Sequence, residues 1–318
     1  MQVISAEHVY RICTWDNLMG ALAKAHAGPK PLVERAAIFH DNDGVTETYI
    51  NIPAWIPGKA FASKITTVLP RNPARFDGIP AIQALVTLFD GDTGSPRAVI
   101  NGTSLTYVKT AADSALGSKL LSSPDANVLT LVATGGLAPF IVAAHRAARP
   151  SISKVFVWGR RAEQAARVAG DLRDSGIDAE PADDLEHAVR QSDIVSCATS
   201  STEPLVRGDW LKSGSHLDLI GSYTPEMREC DDRAVTRARL FVDSRWFAVE
   251  KAGDLGIPIS NGVITVDDVE ADLFELCGEG YPVNRQPQDI TLFKNGGGAH
   301  LDLFTAMFIA DHYEAENV

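Results

Sequence analysis

Short apolar runs alternate with segments of helical periodicity between about residues 125 and 243. Residues 127–133 (NVLTLVA) are almost wholly apolar and stop at Thr134-Gly135-Gly136. Residues 137–149 then set Phe140, Ile141 and Ala144 on one helical face and end at Pro150, which stops a helix. A second strand at 154–158 (KVFVW) and an amphipathic helix at 162–175 follow. Residues 193–198 (DIVSCA), 216–220 (HLDLI) and 240–243 (LFVD) read as further short strands. Strands alternating with helices predict a parallel, doubly wound sheet of the Rossmann type.

The flanks carry a different pattern. Residues 45–110 are rich in Thr, Val, Ile, Pro and Gly, and 46–52 (TETYINI), 61–69 (FASKITTVL), 82–89 (IQALVTLF) and 96–100 (PRAVI) read as strands. Asp90-Gly91-Asp92-Thr93-Gly94, between the last two, is a hairpin turn signal. An antiparallel or mixed sheet is expected here, linked by a helix over 109–121 to the nucleotide domain, with a terminal helix at about 299–314. The predicted class is α/β: a Rossmann domain at 113–294 and a second, α+β domain at 1–112, completed by 295–318.

Composition narrows the partners. A chain of 318 residues suits two domains of about 100–200 residues each, and 45% hydrophobic residues suffice for buried cores. No apolar run approaches the ~20 residues that cross a bilayer. The opening residues (MQVISAE) lack the basic-then-apolar pattern of a secretory leader, so a cytoplasmic protein without membrane association is expected. A formal charge of −12 argues against nucleic acid or anionic lipid as partner. Cys13, Cys197, Cys230 and Cys277 are scattered without a CxxC pair, and read as reduced, mostly buried thiols rather than metal ligands.

In so acidic a protein an anionic ligand must meet local positive charge. The turn 133–138 (ATGGLA) follows a strand and opens a helix, matching GxGxxG/A except that Ala133 replaces the first Gly. Gly135 allows close approach of backbone to a pyrophosphate, Ala138 lets the helix pack closely on the sheet, and the helix start at Leu137 offers free N–H groups and positive partial charge, so Gly135, Gly136 and Leu137 are candidate cofactor contacts. The end of the second strand reads Trp158-Gly159-Arg160-Arg161, with no acid before Glu163. Dinucleotide sites for NAD carry an acid there, whereas two guanidiniums suit a 2′-phosphate. NADPH is therefore the expected cofactor, with NADH as the alternative.

Several segments, in order along most of the chain, resemble the ornithine cyclodeaminase/mu-crystallin family. They are 63–70 (SKITTVLP), 78–83 (GIPAIQ), 88–90 (LFD) through 94–96 (GSP), 109–112 (KTAA), the Gly135 turn, 192–195 (SDIV) to 198–200 (ATS), and 290–294 (ITLFK). The resemblance implies a Rossmann domain, a substrate domain that forms a homodimer through its sheet, and nicotinamide-dependent redox chemistry at an amino or imino carbon beside a carboxylate. It implies that Lys64 is the active-site lysine and that Arg35 grips the substrate carboxylate. It assigns Lys109 and Thr110, usually Arg-Thr, to the cofactor side, with Ala198, Thr199, Ser200, Ile220, Gly221 and Asn295. Lys109 keeps the charge there but loses the planar fork.

Two departures select a branch. Cyclodeaminases and the alanine dehydrogenases of this family carry an Asp two residues after the Gly at position 221; here that position is Tyr223. The usual Lys-Ser-Val-Gly is replaced by 294–302 (KNGGGAHLD). Both are similar to the members that reduce cyclic ketimines, so a small cyclic imino acid such as Δ1-pyrroline-2-carboxylate is the expected substrate. The alternatives are ornithine cyclodeamination, alanine dehydrogenation, and a non-catalytic protein that binds NADPH or a small ligand. Lys64 then holds the carboxylate or relays a proton, unless it is a strand-edge lysine in water. Asp302 orients Lys64 or favours the helix start, His300 donates a proton or packs, and Tyr223 lines the imine pocket or is a core aromatic.

Overall fold

The computed structural model describes residues 1–316. Two compact units emerge among the described residues: 1–25, 29–109 and 299–316 form one, and 26–28 and 110–298 the other.

The first unit contains β1 (Gln2–Ile4), α1 (Ala6–Ile12), most of α2 (Trp15–His26), β2 (Leu32–Val33), β3 (Ala36–Asn42), β4 (Val45–Ile56), β5 (Ala60–Val68), α3 (Asn72–Arg75), β6 (Ile82–Asp90) and β7 (Pro96–Asn101). Its sheet runs β1-β7-β6-β5-β4-β2, with β3 also paired to β4. All pairs are antiparallel except β1 with β7. The expected mixed sheet is present, and the Asp90–Gly94 turn joins β6 to β7, with Asp90 Oδ1 accepting from the Thr93 N–H at 2.8 Å. One helix differs from its sequence boundary: α4 (Gly102–Leu121) begins seven residues before Lys109, where Asn101 Oδ1 takes the Ser104 N–H at 2.9 Å.

The second unit takes α4 from Thr110 onward. It continues with β8 (Val128–Val132), α5 (Ala138–Ala148), β9 (Lys154–Trp158), α6 (Ala162–Asp174), β10 (Ala179–Pro181), α7 (Leu185–Gln191), β11 (Ile194–Cys197) and β12 (His216–Leu219). Then come α8 (Asp232–Arg237), β13 (Arg239–Val242), α9 (Arg245–Glu250), α10 (Gly253–Ser260), β14 (Val269–Asp272), α11 (Leu273–Leu276) and β15 (Thr291–Lys294); α12 (Ala299–Glu316) returns to the first unit. All eight strands are parallel, in the order β10-β9-β8-β11-β12-β15-β13-β14. β15, the last to be made, sits between β12 and β13, an insertion that periodicity alone does not announce.

Side chains of a strand alternate between faces, so β8 feeds two cores. Leu129 and Leu131 join Ile141, Val142, Val168 and Leu172 from α5 and α6. Val132 joins the cluster containing Leu217, Leu219 and Val242. One group in the middle of β12 is not apolar: Asp218 is fully buried and accepts from Ser114 Oγ at 2.7 Å and Ser196 Oγ at 2.5 Å, with His145 Nε2 at 3.3 Å. Burial pushes its carboxyl up, but His145 and the two hydroxyls outweigh that and hold it below the usual range. The network joins α4, α5, β11 and β12. No described helix is long and apolar enough to cross a membrane.

Candidate functional site

In a doubly wound sheet, a crevice opens where successive connections leave a central strand in opposite directions. Here that point is β8, with β9 on one side and β11 on the other. A cleft of about 280 Å³ lies there, lined by Ala133, Thr134 and Gly135 after β8, by Gly159, Arg160 and Arg161 after β9, and by Ala198, Thr199 and Ser200 after β11. Seven of these nine residues are sequence-nominated cofactor contacts. Trp158, Gln164, Ser201 and Leu205 also line it and were not nominated. They carry no motif; Trp158 ends β9 and Ser201 follows β11, so position at a strand end could have found these two, whereas Gln164 on α6 and Leu205 in the loop beyond β11 carry no such signal.

The cleft fits a dinucleotide on three observations. A Cβ on Gly135 would meet nothing within 4 Å, so the backbone there is open to an approaching group. Both helices that start at the cleft lack a side-chain cap: Leu137 before α5 and Arg161 before α6 make no cap hydrogen bond. The positive end of each helix dipole is thus left without a side-chain acceptor at the cleft, although at α5 the Ala138 N–H is taken by the Gly135 carbonyl at 3.0 Å and Pro139 has no N–H. Arg160 and Arg161 are exposed, and no described residue forms an ion pair with either. Gly159 has a different role, since a Cβ there would lie 2.4 Å from Thr134 Cγ2; it allows the β8 and β9 turns to close together.

The remaining nominated cofactor residues lie outside the lining. Gly136 and Leu137 lead from the cleft into α5. Ile220 is buried against the β8–α5 core. Asn295 is turned to α4, donating from Nδ2 to the Thr110 carbonyl at 3.1 Å and to Ser114 Oγ at 3.0 Å. Gly221 gives its N–H to Glu229 Oε2 at 2.6 Å. Tyr223 is 57% exposed, which removes the core-aromatic alternative for it.

The first unit holds a cluster of charge. Along β5 the even positions Ala60, Ala62 and Lys64 point inward, and α12 packs on that face. Lys64 Nζ is 2.8 Å from Asp302 Oδ2, and Lys109 Nζ is 3.5 Å from Asp302 Oδ1. All three are buried. Lys64 is therefore no strand-edge lysine, because β5 lies between β4 and β6. Its neighbour is Asp302 and not Arg35, which is exposed in the link between β2 and β3. His300 is buried at the start of α12, its ring edge-on to Phe304 with centroids 5.9 Å apart. Such a cluster can hold an ammonium dry and in place, available to a carboxylate or an imine nitrogen.

A second buried ionic group was not anticipated from the sequence. Glu229, Asp254 and Lys294 are all fully buried, with Lys294 Nζ 3.1 Å from Asp254 Oδ2. Burial and the nearby Asp254 push the Glu229 carboxyl up to about 7, against the opposing pull of Lys294 and Thr199.

The model of the ornithine cyclodeaminase/mu-crystallin family matches residues 4–317. The chain is 39% identical over 297 residues to a protein named Δ1-pyrroline-2-carboxylate reductase from Paracoccus denitrificans, covering 93% of this chain and 92% of that one. It is 32% identical over 239 residues to ketimine reductase mu-crystallin of Mus musculus, covering 75% and 72%. Among solved structures, Δ1-pyrroline-2-carboxylate reductase of Thermococcus litoralis, in complex with NADH and L-proline, superposes with a TM-score of 0.89 at 26% identity, covering 100% of this chain and 99% of that one.

The Lys64–Asp302–Lys109 cluster makes an asymmetric prediction. Asp302→Asn leaves two buried ammonium groups facing a neutral amide and is expected to cost about 3–5 kcal/mol. Lys64→Met leaves Asp302 still matched by Lys109 and is expected to cost less. Urea-unfolding midpoints of the two variants check the order; an equal or smaller loss for Asp302→Asn would contradict it.

Proposed function

The chain belongs to the ornithine cyclodeaminase/mu-crystallin family, and from that premise we propose that it reduces the cyclic imine Δ1-pyrroline-2-carboxylate to L-proline, with NADPH as the preferred hydride donor. The observation that carries the redox part is the cleft at the β8 switch point, where two uncapped helix starts and an unopposed arginine pair face the same space. Similarity to proteins named for reduction of this imine narrows the substrate. The six-membered homologue is a second substrate of the same chemistry.

A nicotinamide dinucleotide held by the residues after β8, β9 and β11 would supply hydride chemistry at the imine carbon. The protein supplies the rest. Arg35 takes the substrate carboxylate as a guanidinium–carboxylate pair. Lys64, held by Asp302 and kept out of bulk water, presents an ammonium proton to the ring nitrogen, because an iminium accepts hydride more readily than a neutral imine. Fixing the reactants in place contributes several kcal/mol of the barrier reduction by itself. Tyr223 bears on the competing activity: expelling ammonia from ornithine needs an acid–base group beside the amine, and a phenol does not replace a carboxylate in that role.

A second copy of this chain is the proposed partner. Ile38, Phe39, Tyr49, Trp55, Ile82 and Leu85 on the first unit's strands are all at least 39% exposed. Exposed apolar side chains on one sheet suit a homodimer.

The expected outcomes concern the substrate, the lysine, the cofactor and the partner. Purified protein oxidises NADPH on addition of Δ1-pyrroline-2-carboxylate, followed at 340 nm, and releases no ammonia from L-ornithine; Lys64→Ala lowers kcat/KM at least ~100-fold, about 2.7 kcal/mol, with dinucleotide affinity unchanged. Efficient ornithine turnover, or a near-normal Lys64→Ala, would refute the substrate or the lysine assignment respectively. Arg160→Ala raises KM for NADPH at least several-fold and leaves NADH little changed; equal weakening of both would remove the 2′-phosphate reading. Light scattering reports twice the 34.2 kDa chain mass, and Phe39→Asp shifts it toward the monomer.

A further inference from the structure

Thr199 and Gly221 follow the adjacent strands β11 and β12, and at these two residues the backbones nearly touch. A Cβ on Gly221 would lie 1.9 Å from the Thr199 carbonyl oxygen. One carboxylate bridges them. Glu229 Oε1 accepts from the Thr199 N–H at 2.7 Å and from Thr199 Oγ1 at 2.9 Å, and Oε2 accepts from the Gly221 N–H at 2.6 Å. Glu229 is held in turn: its own N–H donates to Asp254 Oδ1 at 2.7 Å, and its carbonyl accepts from the N–H groups of Leu205 and Val206 at 2.9 and 3.0 Å. Thr199 and Leu205 line the cleft. In the sheet, β11 and β12 lie on the opposite side of β8 from β9, so this bridge borders the end of the cleft away from Arg160 and Arg161.

We propose that Glu229 is a positioning residue for the dinucleotide, its ionised carboxylate clamping the β11 and β12 loops into the shape that binds the half of the cofactor remote from the arginines. The proposal rests on the nicotinamide reading of the cleft. Three donors converge on two oxygens, so both oxygens must accept. A protonated acid turns one oxygen into a donor facing an N–H, and a Gln does the same with its amide. The clamp is therefore complete when Glu229 is ionised.

The surroundings set when that occurs. Asp254 on α10 repels the carboxylate, Lys294 on β15 attracts it, and the thiols of Cys197 on β11 and of Cys230 are pushed well above their ordinary range and stay neutral. Arg228 is engaged by Asp232 and by the Cys230 carbonyl. With the Glu229 carboxyl near 7, the clamp closes as pH rises through neutrality. The sign for stability is opposite. A carboxyl raised above its unfolded value binds more protons in the folded state, so its contribution to stability falls as pH rises from about 4.5 toward 7. Cofactor affinity and stability of the free protein thus move in opposite directions across this window, which a merely structural glutamate does not produce.

The test is equilibrium binding of NADH and NADPH, by ligand fluorescence, between pH 6 and 8.5. NADH has no 2′-phosphate, so a slope shared by both ligands is not phosphate titration. Wild type is expected to bind both at least several-fold more tightly at the alkaline end, while its melting temperature without ligand does not rise in parallel. Glu229→Gln is expected to show weak affinity at all pH values, equal to the wild-type acid limit, with the slope gone. Asp254→Asn, which keeps the acceptor for the Glu229 N–H but removes the repelling charge, moves the midpoint to lower pH and serves if the Gln variant fails to fold. Glu229→Gln with the wild-type slope or the wild-type alkaline affinity, or an unmoved midpoint in Asp254→Asn, would overturn the clamp alone. Failure of wild type to bind either nucleotide would overturn the cofactor reading and the clamp with it.

Discussion

An ionised side chain taken out of water is tolerated only where an opposite charge or several hydrogen-bond partners meet it. This chain accepts that constraint repeatedly. Lys64, Lys109 and Asp302 meet in the first unit; Glu229, Asp254 and Lys294 meet in the second, along with Asp218 and its ring of His145, Ser114 and Ser196. Each group ties together elements that are distant in sequence. Apolar packing would hold the same elements, but it would not fix one orientation so narrowly, because dispersion contacts lack direction.

The cleft depends on the converse principle. The guanidiniums of Arg160 and Arg161 are exposed and form no ion pair among the described residues, and the starts of α5 and α6 carry no side-chain cap. In a protein of net charge −12 such a concentration of positive potential is local and directed. It provides for an anion without making the whole surface attractive to nucleic acid or anionic membranes. The opposite rim is built differently, from backbone held by the buried Glu229, so one end of the cleft is electrostatic and the other is set by shape.

Much of this was legible along the chain. The Gly135 turn and the Gly159-Arg160-Arg161 end are local signals, since a phosphate-binding turn needs its glycines and charges within a few residues of a strand end, whereas the stretch 198–200 was reached through the family resemblance. Strands β4 to β9 and β11 to β13 were legible for the same reason, as alternation and apolar runs are local properties, whereas β1, β2, β3, β10, β14 and β15 were not read from the sequence. The start of α4 was less so: Gly102, Thr103 and Thr106 have no strong helical preference, and the helix gains its first turns from the Asn101 cap and from packing.

What the sequence by itself determined is therefore the class of fold, the family, and several of the residues that line the cleft. Tertiary structure decided which charges meet. Asp302 lies 238 positions from Lys64, and Lys294 is 40 positions from Asp254; no periodicity relates such pairs. The insertion of β15 between β12 and β13 carries Lys294 into the sheet, and the packing of α12 on β5 carries Asp302 onto Lys64. Glu229 was invisible for the same reason. Its role comes from a close approach of two loops, 22 residues apart at Thr199 and Gly221, that exists only after the parallel sheet has brought β11 and β12 side by side. Local preferences are written residue by residue, whereas the pairing of buried charges is a property of contacts that the folded chain alone creates.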